Sequence, residues 1–112
     1  MNVPAMVAAL ANQLGFKLVA YIGGVQETRI VRYWARGVGE PANTQDVERL
    51  RLAFRAASLI MARESAAVAQ AWFRGLNPTL GDVSPARLLR EGDIDVVGPQ
   101  VLAAARQFAA LG

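Results

Sequence analysis

The chain is expected to be all-α, and three observations carry that expectation. Apolar residues recur at three- and four-residue intervals along nearly its whole length. Alternating β-branched runs joined by hairpin turns are absent. Glycine, proline or a capping residue stands wherever the helical period breaks. The breaks arrange the helices as an N-terminal helix-turn-helix bundle, joined by a long helix to a small C-terminal helical bundle.

Composition sets the outer limits. A chain of 112 residues is one domain, or two very small ones sharing a core. It buries roughly two-thirds of its unfolded surface, enough for a core without staples. A hydrophobic content of 54% with 19% charged residues excludes disorder. There is no cysteine, hence no disulfide framework and no thiolate metal site, which fits a reducing, cytoplasmic setting. The lack of histidine removes the commonest general base and metal ligand. No apolar run approaches the ~18 residues that a membrane span needs, so no membrane partner is expected. Val3–Ala11 is apolar enough to resemble a signal-peptide core. It has no basic start, and Asn12-Gln13 interrupts it, so it reads as the first helix.

In order, the first helix runs from about Pro4 to Leu14, with Val3, Val7, Leu10 and Leu14 in line and Gly15 ending it. The second covers about Phe16–Ile22, carries Leu18, Val19 and Ile22, and stops at Gly23-Gly24. The third spans roughly Thr28–Arg36 and is closed by Gly37, Gly39 and Pro41. The long fourth helix starts near Asn43 or Thr44, with Asp46 and Glu48 suiting its positive first turn. Its inner face is read as Val47, Leu50, Phe54, Ala57 and Met61. Ser65 caps a fifth helix, Ala66–Arg74, whose stripe is Val68, Ala71 and Trp72. A turn-rich stretch, a short helix at Pro85–Arg90 and a final helix follow. Pro99 belongs in a first turn, which puts the start of the last helix near Val96, with Val97, Val101, Ala105 and Phe108 inward. The organisation is then residues 1–42, a DNA-binding helix-turn-helix; 43–64, a connecting and dimerisation helix; and 65–112, a partner-binding unit.

Two helices around a glycine-containing turn make the front a helix-turn-helix. Ala20 is small where the helices must approach, and Gly24, four residues on, suits a positive φ. The buried side of the second helix is either Ile30/Tyr33 or Val31/Trp34. The latter is favoured, because Val-x-x-Trp followed by Gly and Pro resembles the Xre/phage-repressor class. On the opposite face Arg29, Arg32 and Arg36 form one stripe, with Gln26 and Thr28 at the end that meets base edges. Tyr33 lies beside them. Three arginines are also what a solvated face looks like; the turn and the charge distribution favour DNA. Residues 1–64 hold eight basic and five acidic groups against four and four in residues 65–112, so the net +3 lies in the front half. Eleven of the twelve basic residues are arginine, the side chain suited to forked phosphate contacts.

The most distinctive stretch is Asn77–Gly92, NPTLGDVSPARLLREG, preceded by Trp72-Phe73. Asn77-Pro78 reads as turn initiation and Ser84-Pro85 as an N-cap with proline in the first turn. This is a small, rigid, helix-linking unit. Its tryptophan, Asn-Pro-x-Leu-Gly turn and Ser-Pro-x-x-Leu-Leu helix resemble the toxin-binding domain of Xre/MbcA/ParS antitoxins. In that family the domain follows a helix-turn-helix, so the resemblance covers nearly the whole chain. Gly81-Asp82 departs from the pattern where the family often has a second glycine. The resemblance implies an antitoxin of a type II toxin–antitoxin system. Its partner would be a RES-domain toxin that consumes NAD or transfers its ADP-ribose part. The antitoxin would occlude the toxin's active-site cleft and repress its own promoter at operator DNA.

Leu80, Leu88 and Leu89 read as packing residues, and Trp72 as core or an interface anchor, with core favoured. The outward groups left for the toxin are Arg87, Arg90 and Glu91 on the short helix, with Arg106, Gln107 and the tail Leu111-Gly112 on the last. Arg87 and Glu91 also have the spacing of an ordinary surface pair. An enzyme is not expected, nor a cofactor: no nucleophile–base pair or metal cluster is present, and Gly23-Gly24 and Gly37-x-Gly39 lack the βαβ setting of a dinucleotide fingerprint. Two other readings stay open, a stand-alone regulator whose rear bundle dimerises and an interaction module without DNA binding. A homodimer is expected because symmetric operators need two reading helices. Leu52, Leu59 and Ile60, outside the main stripe of the fourth helix, are its candidate interface, the alternative being that they are buried within the chain between the two bundles.

Overall fold

The backbone turns where short polar side chains and glycines can carry it. The computed structural model describes residues 1–111, and Gly112 lies outside them. The elements are α1 (Val3–Leu14), α2 (Phe16–Ile22), α3 (Thr28–Ala35), α4 (Thr44–Met61), α5 (Ala66–Arg74), a 3₁₀ turn (Pro78–Leu80), α6 (Pro85–Glu91) and α7 (Ile94–Leu111). Asn2 Oδ1 accepts from the Ala5 amide at 2.9 Å to start α1, and Asn43 Oδ1 accepts from the Asp46 amide at 2.8 Å to start α4. Ser65 Oγ does the same for Val68 at 3.2 Å in α5. Gly15, at φ 85°, both ends α1 and begins α2. Among the described residues there is no strand, and no helix is long and apolar enough to cross a membrane.

The hydrophobic core is continuous from Met6 in α1 to Ala105 in α7. At its centre α4 packs against α1, α2, α5, α6 and α7. Its fully buried residues are Leu50, Ala53, Ala56, Ala57 and Ile60, whereas Val47, Phe54 and Met61 of the expected stripe are half-buried. A helix with neighbours on several sides has no single inner face. The alanines mark where backbones come closest, and bulkier groups flank those lines. Ile60 is therefore core, not interface. Leu52 and Leu59 are half-buried, and Leu52 covers Gly98, where an added Cβ would lie 2.5 Å from Leu52 Cδ1.

The stripe of α5 shifts in the same way, whereas in α7 Val97, Val101 and Ala105 are buried as expected and only the start of the helix differs. In α5 the buried residues are Ala69 and Phe73, with Trp72 half-buried and Ala71 exposed, because α5 packs on α1 as well as on α4 and α6. The last helix begins two residues before the expected Val96. Asp93 starts it: its Oδ1 accepts from the Asp95 amide at 3.0 Å and its carbonyl from Val96 and Val97 at 2.9 and 2.8 Å. Pro99 thus sits inside α7 and not in its first turn. It supplies no amide for the Asp95 carbonyl, and both residues are exposed, so water can take that bond.

Candidate functional site

The first candidate surface is built on the turn between α2 and α3. Ala20 is buried, and Gly24 adopts φ 78°. At Gly23 a Cβ would come within 3.0 Å of the Trp34 ring, so the end of α2 rests directly on that side chain. Val31 and Trp34 are the buried pair of α3, at 0% and 5% exposure, while Tyr33 is 39% exposed. The opposite face carries the arginines. Arg29 pairs with Glu27 at 2.5 Å. Arg32 donates to Thr28 Oγ1 at 3.1 Å and lies 4.6 Å over the Phe16 ring, and Arg36 lies 5.5 Å over Tyr33. All three are exposed, so these contacts are weak as stabilisation. They hold planar guanidinium groups in place without using all their donors. Gln26, Thr28 and Arg29 open onto one cleft, and Arg32, Tyr33 and Arg36 continue the same face of α3.

The second is the Asn77–Gly92 unit. Asn77 Oδ1 accepts from the Thr79 amide at 2.9 Å, and its carbonyl accepts from Leu80 and Asp82, each at 2.9 Å. Its own amide donates to the Val83 carbonyl at 3.3 Å, closing the loop. Gly81 and Asp82 both take left-handed backbone, at φ 72° and 61°. Ser84 Oγ accepts from the Arg87 amide at 3.2 Å, Pro85 opens α6, and Leu89 is wholly buried. Leu80 and Leu88 pack half-buried against the core. The fastening of α6 comes from Arg49, a residue without a role in the sequence reading. Its Nη1 donates to the Leu89 and Gly92 carbonyls, both at 2.6 Å, and Nε lies 3.6 Å from Asp46. An arginine early in a helix gives no sign of carbonyl partners some forty residues on.

The candidate toxin contacts fall on different surfaces. Arg87 and Glu91 pair with each other at 3.1 Å and are exposed. Arg90 turns the other way: it donates to the Tyr21 carbonyl at 2.8 Å, with its guanidinium 4.7 Å over the Tyr21 ring, and joins α6 to α2. Arg106 lies in a groove with Phe54, Arg55 and Leu59. Gln107 and Leu111 line another, of about 340 Å³, together with Trp72, Leu76, Pro78 and Phe108. Trp72 meets Phe73 edge-on at 5.1 Å and Phe108 at 6.3 Å, so it walls this groove instead of filling the core. Among the described residues no charged one lines it, and Leu76 and Leu111 stand 76% and 82% exposed beside it. Leu76 also escaped the sequence reading, because it lies between helices, where periodicity assigns no face. Compared with known proteins, the chain matches no family model, no curated protein and no solved structure.

Proposed function

We propose that the chain is the antitoxin of a type II toxin–antitoxin pair. Its rear unit binds and occludes the active site of a RES-domain, NAD-consuming toxin, and its α2–α3 face binds operator DNA. The protein acts by binding, without catalysis or cofactor, as a homodimer within the toxin–antitoxin assembly. The observation that carries the reading is the largely apolar groove beside the Asn77–Gly92 unit, with Leu76 and Leu111 exposed at its edge. Aromatic walls in an apolar surface suit an interface centre, where aromatic residues are enriched and charged ones depleted. Because the caps and left-handed residues of Asn77–Gly92 satisfy its own backbone, the wall of the groove is already shaped before a partner arrives. Arg87 and Glu91, both exposed on α6, are available to polar partner groups.

Co-expression with the product of the neighbouring gene, which this reading expects to be a RES-domain toxin, tests it. Growth and cellular NAD should be restored and the two proteins should co-purify. The double variant Leu76→Asp/Leu111→Asp should lose both effects while keeping its far-UV helix signal. Full protection of NAD by that variant would remove the groove from the inhibitory role. A stand-alone regulator would use the same apolar groove to dimerise. In that case the double variant becomes a monomer in sedimentation, and no toxin is restrained by the parent chain.

A further inference from the structure

We infer that Arg90, carried by α6 in the rear half of the chain, is a backbone-phosphate contact of the front DNA-binding surface. The inference rests on the DNA-binding part of the proposed function. A cleft of about 700 Å³ lies between α2, the turn and the start of α3, and Arg90 forms part of its lining. Lys17 and Arg29 line it too, so three cations face one carboxylate, Glu27, which is already paired with Arg29. The contact of Arg90 with the Tyr21 carbonyl uses one of its five N–H donors, and stacking on the Tyr21 ring fixes the plane of the rest. Among the described residues it has no carboxylate partner and no second hydrogen bond. A fixed guanidinium with free donors, in a net-positive cleft beside the reading helix, matches a phosphodiester oxygen. Lys17, exposed and without a hydrogen bond or ion pair among the described residues, supplies a second cation there.

The experiment measures affinity for a mixed-sequence duplex of about 30 base pairs across a salt series, since each neutralised phosphate contributes about 0.9 to the slope of log affinity against log salt. Arg90→Met should lower the slope by about one contact, so the advantage of the parent chain grows about 3.5-fold between 200 and 50 mM salt. Arg90→Lys, which keeps the charge, should hold the slope. Lys17→Met, at a position that braces nothing, should lower it in the same way. A parent-like slope for Arg90→Met with an intact helix signal overturns the inference. Should Arg90→Met not fold, a Lys17→Met slope equal to that of the parent, or a reduced slope for Arg90→Lys, overturns it instead. Arg32→Ala/Arg36→Ala separates the two levels. If that variant and the parent bind alike, the DNA-binding reading itself fails. If it weakens binding while Arg90→Met does not, only the role of Arg90 is lost.

Discussion

Asp82 sits in left-handed backbone at φ 61°, directly after Gly81 at 72°. Left-handed backbone costs an ordinary L-residue roughly 1–2 kcal/mol, and aspartate tolerates it better than most. This gives physical content to the departure noted in the sequence: the place where the resembled family often has glycine is one where glycine carries no steric cost. Asp82→Ala should therefore lower unfolding stability by about 1 kcal/mol, and Asp82→Gly should leave it within about 0.5 kcal/mol, both read from denaturant midpoints. Arg49 makes the opposite lesson. Its bonds to the Leu89 and Gly92 carbonyls are charge-assisted and half-shielded from water, so Arg49→Met should cost about 2–3 kcal/mol in the same measurement. Turn geometry was legible because glycine, proline and capping residues act on their own neighbours. The role of Arg49 was not, because its acceptors are backbone groups brought to it only by the finished fold.

At the scale of the helices, starts and stops were largely legible and inward faces less so. Ser65 and Ser84 each cap the helix they are expected to cap, and of the two residues expected at the start of α4, Asn43 or Thr44, it is Asn43 that caps it. The stripes of α4 and α5 are displaced because a helix touched on several sides buries more than one line of residues, whereas Val97, Val101 and Ala105 of α7 are buried as expected. Two glycines show where such neighbours press closest. At Gly92 a Cβ would meet Val97 Cγ1 at 2.6 Å and the Leu88 carbonyl oxygen at 2.8 Å, and the latter cannot move without disturbing α6. Gly92→Ala should cost about 1–3 kcal/mol by overpacking. At Gly98 the single close atom is the terminal methyl of half-buried Leu52, which can swing aside. There the gain in helix propensity, about 1 kcal/mol, offsets the crowding, so Gly98→Ala should be near neutral in the same denaturation series. A large loss at Gly98 and none at Gly92 would reverse this account of which backbone is immovable.

Across the whole molecule, the chain was read as 1–42, 43–64 and 65–112, and all three stretches contribute to one core. Helix α1 packs on α4 and α5, and α2 packs on α4 and α6, so the front helices rest on rear ones. A fragment of residues 1–42 should therefore show little helix by far-UV circular dichroism. The full chain should melt once, with Trp72→Phe and Trp34→Phe variants each reporting a fluorescence midpoint that coincides with that variant's own loss of helix. Separate midpoints would mean the halves hold themselves up. The surfaces proposed for DNA and for the toxin were partly legible, through the arginines of α3 and the Asn77–Gly92 motif. The groove at Leu76 was not, since it exists only where α5 and α7 meet the turn between them. The shared core has a consequence for genetics. On the proposed function, a random loss-of-function screen scored by toxin restraint should return mostly buried positions, and those alleles should also lose operator binding. Separation-of-function alleles must come from exposed side chains, with Leu76 and Arg36 marking the two ends of that search.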